Sequence, residues 1–142
     1  MKTRRSAILL SLLALSVAQC HIAGPLGPDA NQQLPADAQR LGAVRLATSA
    51  EVAGAISSAD ALAAANTEGY AWPNARTFLV VVTTNNADPS NPYALVGRLA
   101  WLIYWDGLNV EDPGPSSSIT VYTKLLLLVD AHSGTVLRGV QS

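Results

Sequence analysis

A potential hydrolase cluster lies near the end of the chain, which has 142 residues. Asp130, His132 and Ser133 supply the residue types of an orienting carboxylate, a general base and a nucleophile. They crowd into a predicted hairpin turn, where we expect the three side chains to point outward in different directions, and polar residues are common in a turn in any case. The other histidine, His21, adjoins a predicted leader and makes a poor base. The sequence therefore predicts no catalytic residues and no enzyme.

The acidic residues raise the question of a metal site. Asp106, Glu111, Asp112 and Asp130 would offer hard oxygen ligands if the ends of two hairpins converged. Their spacing does not match an EF-hand, and Pro113 interrupts them. The presence of a single cysteine excludes a thiolate metal cluster and an internal disulfide. We interpret these carboxylates as a solvated surface and expect no metal and no cofactor.

Three aromatic residues form the remaining candidate site. Trp101, Tyr104 and Trp105 lie close together on a predicted strand, where both tryptophans share one face and Tyr104 takes the other. One interpretation places the tryptophans in the core beneath a small, alanine-rich helix. The other makes the three residues an exposed surface for a partner or a ligand. The sequence favours the core and leaves both interpretations open.

The N-terminus has the pattern of a secretory signal peptide, which we predict over residues 1–19. Lys2, Arg4 and Arg5 precede an apolar run at residues 7–18 that is too short for a membrane span. Small residues before Gln19 suit simple cleavage. We therefore expect a secreted or periplasmic protein.

The end of this leader also allows a lipid anchor. Residues 17–20 resemble a bacterial lipobox in position and in their single Cys20, although Gln19 departs from the small residue that the motif prefers. Simple cleavage is the favoured interpretation. If Cys20 is acylated instead, the protein is anchored to the cell envelope, and only then do we expect contact with a membrane.

The charge balance argues against nucleic acid as a partner. The chain has 9 basic and 10 acidic residues, and three of the basic ones belong to the predicted leader. The remaining arginines and Lys124 are spread singly along the chain, so no basic patch is available to neutralise phosphates.

The region after the leader divides into a linker and one domain. Residues 20–37 are rich in proline and glycine, which predicts a linker, and the domain follows over residues 38–142. Thr48 and Glu51 match a capping box, and apolar residues then recur at helical spacing, which predicts a helix over residues 49–65. A weak alternation near residues 43–46 indicates a short strand.

The second half of the domain has the patterns of an antiparallel sheet. Predicted strands lie at residues 78–84, 95–106, 119–130 and 135–140. Residues 107–118 are predicted to be a long mobile connection. Gly134 should take a positive φ in the tight turn at residues 130–134. The fold class expected is α+β, with one main helix packed on a three- to four-stranded antiparallel sheet.

The closing strand and turn resemble the end of a PepSY-type domain. That family ends in an apolar strand, then Val-Asp-Ala, a polar pair containing glycine and a short aliphatic return, and Val129-Asp130-Ala131 and Ser133-Gly134 fit this pattern. Residues 100–107 are similar to the preceding aromatic strand of the family. The resemblance covers roughly residues 95–140 and implies a cystatin-like fold without catalytic residues.

These observations predict an exported, non-catalytic binding module, with an exported protein or a peptidase that it inhibits as the expected partner. The alternative is a small-ligand carrier with a pocket between helix and sheet. A cavity lined by Trp101 and Trp105 would favour the carrier. A filled core with an exposed strand edge would favour protein binding through strand addition.

Overall fold

A five-stranded antiparallel sheet dominates the computed structural model, which describes residues 32–142 except 86, 87, 89, 92 and 114–118. Its strands are paired in chain order, each with the next. They are β1 (Gly42–Leu46), β2 (Arg76–Thr84), β3 (Arg98–Pro113), β4 (Ile119–Asp130) and β5 (Val136–Gln141). One α-helix, α1 (Ser58–Thr67), and one 3-10 helix (Ala36–Leu41) complete the regular structure.

The predicted fold class is wrong. Strands make up 47% and helices 16% of the described residues, so the sheet is the main element and has five strands, not three or four. The weak alternation in the first part of the domain forms β1, an edge strand that extends the sheet beyond β2. The observed helix α1 has only 10 residues and is shorter than predicted, because much of the predicted segment is not helical.

Both faces of the sheet are buried, which explains the near-continuous apolar runs in β3 and β4. Alternate residues contribute to two separate clusters. We call the face that α1 covers the helix face, and it carries Trp101, Ile103, Trp105, Leu125, Leu127 and Val129. The opposite face carries Phe78, Val80, Leu102, Tyr104, Leu126 and Leu128, and the 3-10 helix packs there.

The predicted helix over residues 49–65 begins too early. Gly54 has a φ of +79°, which a continuous helix does not allow, and the amide of Ile56 donates to Ala131 O across 2.7 Å instead of within a helix. Ser57 provides the actual N-cap, because its hydroxyl accepts a hydrogen bond from the Asp60 amide at 3.1 Å. Val52 and Ile56 therefore belong to an irregular segment, and their four-residue spacing arises because both side chains pack on the sheet.

The predicted capping box at Thr48 and Glu51 closes a turn that leads into no helix. Glu51 accepts from the backbone amide and the hydroxyl of Thr48, at 2.8 and 2.9 Å. Both guanidinium arms of Arg45 also donate to this carboxylate. The hydrogen bond from Arg45, followed by those from Thr48, lowers the pKa of Glu51 to about 2.

Part of the predicted linker belongs to the packed structure. Within the described residues 32–37, the Gln32 side chain donates to Thr77 O at 3.3 Å, and Leu34 packs on the opposite face. Asp37 forms an ion pair with Lys124 of β4 at 2.9 Å. The predicted boundary at residue 38 therefore falls inside the 3-10 helix.

Of the predicted mobile connection over residues 107–118, the described residues 107–113 belong to β3, and residues 114–118 lie outside the described ranges. β3 continues to Pro113 and pairs with β4 from Val110↔Tyr122 onward, after a register shift that follows Asp106. β2 pairs with β3 only as far as Tyr104. β5 and the Ser142 that follows it bond to β4 only as far as Thr123. The outer part of this hairpin therefore extends beyond its neighbours as a two-stranded arm.

The strands predicted at residues 78–84 and 119–130 are confirmed, as is the tight turn after β4. Gly134 has a φ of +73°, and its amide donates to Asp130 O at 3.0 Å.

Among the helices that the structure describes, none has the length and hydrophobicity needed to span a bilayer.

Candidate functional site

The two tryptophans of the predicted aromatic site fill the core on the helix face. Trp101 is 9% exposed and Trp105 is fully buried. The indole N–H of Trp101 donates to Ile56 O, and that of Trp105 donates to Trp72 O, both at 3.0 Å. These bonds satisfy the polar atom of each ring, so both side chains act as structural anchors for the segments that cover the sheet.

Tyr104 takes the opposite face, as its position in the strand predicts. It is 4% exposed and lies near the ion pair of Lys124 with Asp37. Burial, together with a hydrogen bond from its hydroxyl to Asp106, raises the pKa of Tyr104. The three predicted residues therefore divide between two buried faces and present little surface to a partner.

The predicted leader and Cys20 lie outside the described residues.

The cluster of Asp130, His132 and Ser133 organises the turn. The Asp130 carboxylate is buried and accepts from the backbone amides of His132 and Ser133 at 3.0 and 2.8 Å and from the Ser133 hydroxyl at 3.0 Å. Arg98 donates to the other carboxylate oxygen at 2.6 Å. Ser133 thus contacts the carboxylate directly, which is not the order of a catalytic triad, in which histidine lies between the two.

The expectation that all three side chains of this cluster point outward is wrong for Asp130, which is 1% exposed. Burial raises the pKa of this carboxyl group, but the amides of Ser133 and His132, with Arg98 and the Ser133 hydroxyl, outweigh that effect. They lower the pKa to about 2. The carboxylate is thus held in its charged form by the turn that it stabilises.

The acidic residues considered as metal ligands do not converge. Asp106 lies opposite Lys124, whereas Asp130 lies opposite Ala100 at the other end of the same strand pair. Glu111 and Asp112 lie farther out on the arm. In the part of the chain that the structure describes, no three His, Cys, Asp or Glu side chains gather to hold a metal ion.

The feature with the clearest capacity for binding is the outer edge of β5. Lys124 and Ser142 exchange backbone hydrogen bonds in both directions, at 2.9 and 3.1 Å. This pair shows which residues of β5 direct their backbone groups toward β4. Because bonding alternates along an antiparallel strand, the backbones of Arg138 and Val140 face β4. The amides and carbonyls of Gly139 and Gln141 then face outward, and no backbone partner for them is found among the described segments.

A groove runs beside this edge on the helix face. Its upper part lies between the end of α1 and the start of β5, lined by Glu68, Tyr70, Thr135 and Val136, among others. Its lower part is lined by Tyr70, Tyr122, Leu125, Gly139 and Gln141. Tyr70 lines both parts, and we call the two together the β5 groove.

Gly139 keeps the β5 groove open. It lies opposite Leu127, on the helix face, and a Cβ added there would approach a Leu127 methyl group at 3.3 Å and the Tyr70 hydroxyl at 4.0 Å. Tyr70 itself is held in place by aromatic contacts. Its ring lies 6.0 Å from that of Trp72, which meets Trp105 edge-on at 5.8 Å.

The electrostatics of the β5 groove are acidic. Glu68 is exposed and forms no ion pair with any residue in the described ranges. It follows α1, whose last turn contains no basic residue to balance the negative end of the helix dipole. The exposed cation of the strand, Arg138, lies opposite Leu128 and so belongs to the other face.

Sequence reasoning missed Gly139 and Tyr70 as site residues. A glycine within a predicted strand is a recognised signal for close approach of another backbone, and this signal was available at Gly139. Tyr70 lies just after the helix, and no sequence pattern connects it with β5. Its position follows only from the packing of α1 on the sheet.

Comparison with known proteins adds no relative: no protein-family model, no curated protein and no solved structure matches this chain. The resemblance to PepSY-type domains stays a prediction.

Proposed function

We propose that this chain is a non-catalytic binding module that takes up an extended segment of a partner protein as an added strand along β5. Gly139 is the observation that carries the proposal. Its backbone groups face outward from the sheet edge, and its missing side chain leaves the neighbouring groove open. Strand addition uses these two features together, since the main chain gives affinity and side-chain pockets give selectivity.

The acidic character of the β5 groove indicates the chemistry of the segment. An added strand directs every second side chain toward the helix face, where Glu68 and the end of α1 attract positive charge. The aromatic and apolar lining beside Tyr70 and Val136 suits a small aliphatic side chain. The expected segment is therefore extended, with lysine or arginine and aliphatic residues alternating on one side.

The alternative of a small-ligand carrier finds less support. Such a carrier needs a pocket between helix and sheet, and Trp101 and Trp105 occupy that space with their indole groups hydrogen-bonded. A filled core with an exposed strand edge is the arrangement that favours protein binding.

The location of the module is part of the same proposal. The basic start and the apolar run of the predicted leader support export. We therefore expect the partner to be a protein outside the cytoplasm, such as a peptidase. Contact with a membrane would require the acylation of Cys20.

A peptide titration tests this function. The probe is a short peptide that is acetylated at its N-terminus and amidated at its C-terminus. Threonine occupies every second position, and the positions between are lysine or valine. Binding is followed by the fluorescence anisotropy of a label. We expect saturable binding with a Kd of about 0.1–1 mM, as suits one short added strand. A peptide with glutamate in place of lysine should bind at least about tenfold more weakly, because Glu68 would repel it.

Two variants at one position isolate the strand edge. Gly139→Pro removes the outward amide and should bind at least about tenfold more weakly than Gly139→Ala, which adds the same Cβ but keeps the donor. Arg138→Ala, on the other face of the strand, should leave binding unchanged. Equal affinities for the Pro and Ala variants, or no binding of the lysine peptide to the unmodified chain, would overturn the proposal.

A further inference from the structure

The two-stranded arm presents a second sheet edge with a different composition. Residues 119–123 of β4 read Ile-Thr-Val-Tyr-Thr, without a charged residue, a proline or a glycine. The register of β5 with β4 begins at Leu125, and Ser142, just after β5, accepts from the Thr123 amide at 2.9 Å, so only residues 119–122 lie beyond the reach of β5. Between Ile119 and Tyr122, the described backbone pairs only with β3.

Exposed apolar side chains accompany this unpaired edge. Ile119 is 63% and Val121 is 48% exposed, which places them among the most exposed large apolar residues in the described ranges. Proteins usually protect a free strand edge with charge, with proline or with a bulge. An isolated pair of strands is also only marginally stable in water. Both observations indicate that this edge has a partner.

Charge decides which partner fits. About a two-fold axis, a charge near the centre of the edge lies close to the same charge of the second copy, and like charges opposite each other are destabilising. The outer edge of β5 carries Arg138, β1 carries Arg45, and the β3 side of the arm carries Glu111 and Asp112. Of the described strand edges, residues 119–123 alone lack such a charge, and their β-branched and aromatic composition favours strand pairing.

We infer that residues 120–122 of β4 pair with the same residues of a second copy of this chain, antiparallel and about a two-fold axis at Val121. In this register Val121 meets Val121, and Thr120 meets Tyr122 of the other copy. The two arms then form one four-stranded sheet in the order β3-β4-β4-β3. This pairing does not involve the outer edge of β5 and does not depend on the proposed function.

The length of the edge sets the strength of association. Pairing along so short a stretch buries much less than the area of about 1,200–2,000 Å² that is typical of stable complexes. We therefore expect a reversible dimer that depends on protein concentration. In sedimentation equilibrium, the apparent mass should rise from the monomer toward twice that value between low and high micromolar concentration.

Cysteine cross-linking tests the register. In the full chain carrying Cys20→Ser, Val121→Cys places two thiols opposite each other, within the Cα separation of about 4.4–6.8 Å that a disulfide requires. The matched control is Glu111→Cys, which lies opposite Val121 on β3. Its two copies would stand three strand spacings apart, about 14 Å, and should not cross-link.

A charge variant completes the test. Val121→Lys should keep the protein monomeric at every concentration and leave its melting temperature close to that of the unmodified chain, because this side chain is half exposed. A dimer that persists in Val121→Lys would overturn the inference. A single monomer mass for the unmodified chain at all concentrations, or cross-linking of Glu111→Cys as fast as that of Val121→Cys, would also overturn it.

Discussion

Arg98 and Asp130 form an ion pair at 2.6 Å, although they are separated by 32 residues in the chain. Arg98 is the first residue of β3. Asp130 is the last residue of β4, and it is only 1% exposed. The same carboxylate holds the turn through the amides of His132 and Ser133. One buried charge thus connects the start of β3 to the hairpin that leads into β5.

Asp130 should make the free energy of unfolding depend on pH. Its pKa of about 2 in the folded state lies below the ordinary value of 3.8, so the folded state binds a proton less readily than the unfolded state. This difference contributes about 2 kcal/mol above pH 4. The contribution should be lost as the pH falls from about 4 to about 2.

Urea unfolding of the unmodified chain and of Asp130→Asn at several pH values measures this contribution. At neutral pH the variant should be less stable, and the difference should shrink below pH 4 because asparagine does not titrate. His132→Ala keeps the carboxylate and its hydrogen bonds, because His132 donates to Asp130 through its backbone amide, and this variant serves as the control. A difference between the unmodified chain and Asp130→Asn that stays constant down to pH 2 would show that the carboxylate is not the source.

Gly134 should tolerate substitution according to the backbone preference of the new residue. At a φ of +73°, Gly134→Val should cost about 2 kcal/mol, and its branched side chain would also crowd Ile56 and Ala64, which lie 3.5 and 3.8 Å from the Cβ position. Gly134→Asn introduces the same Cβ but should cost less than about 1 kcal/mol, since asparagine enters this region more readily. Thermal melts compare the two, and equal losses would mean that crowding dominates.

The neighbours of Gly134 should differ from each other. His132→Ala removes an exposed ring and should change the free energy of unfolding by less than about 0.5 kcal/mol. Ser133→Ala should cost about 0.5–1.5 kcal/mol, because the hydroxyl contacts both Asp130 and Thr135 at 3.0 Å.

The indole groups should stabilise the fold through their hydrogen bonds as well as their volume. Trp105→Phe leaves Trp72 O without its donor and should cost about 1–3 kcal/mol. Trp72→Phe is the matched control, since no hydrogen bond of its own indole N–H to a described residue is present and its ring is half-buried. Denaturant unfolding of both variants should show the larger loss for Trp105→Phe, and a larger loss for Trp72→Phe would contradict this assignment.

Export should remove the first residues of the chain. Intact-mass measurement of the protein from its producing cells should show that residues 1–18 are removed, with Gln19 as the new N-terminus, or that residues 1–19 are removed, with Cys20 first. If Cys20 is lipidated, the protein should partition into detergent, and Cys20→Ser should abolish that behaviour. A protein that still begins at Met1 would contradict the predicted leader.

The strands were readable from the sequence where burial imposes a clear pattern. β4 is predicted at its observed bounds because a long apolar run follows the alternating residues 119–124 and a turn then ends it. β1 gave only a weak signal, since an edge strand buries few side chains. The end of β3 was missed because Pro113 and the serines that follow it resemble a loop, whereas pairing with β4 extends the strand.

The helix and the candidate site required information that local patterns do not contain. Thr48 and Glu51 satisfy the capping-box pattern, but Arg45 takes up the carboxylate and Gly54 breaks the segment before a helix can form. The β5 groove joins Tyr70 to Gly139 across the packing of α1 on the sheet. No spacing rule predicts a contact of that kind.

Amide hydrogen exchange with saturating lysine peptide tests strand addition at β5 most directly. The amides of Gly139 and Gln141 face outward and should exchange at least about tenfold more slowly once the peptide is bound. The amides of Arg138 and Val140 already face β4, so their exchange should change little. Slower exchange at alternate residues of β5 is the result that the account predicts, and unchanged exchange at Gly139 and Gln141 with the peptide bound would contradict it.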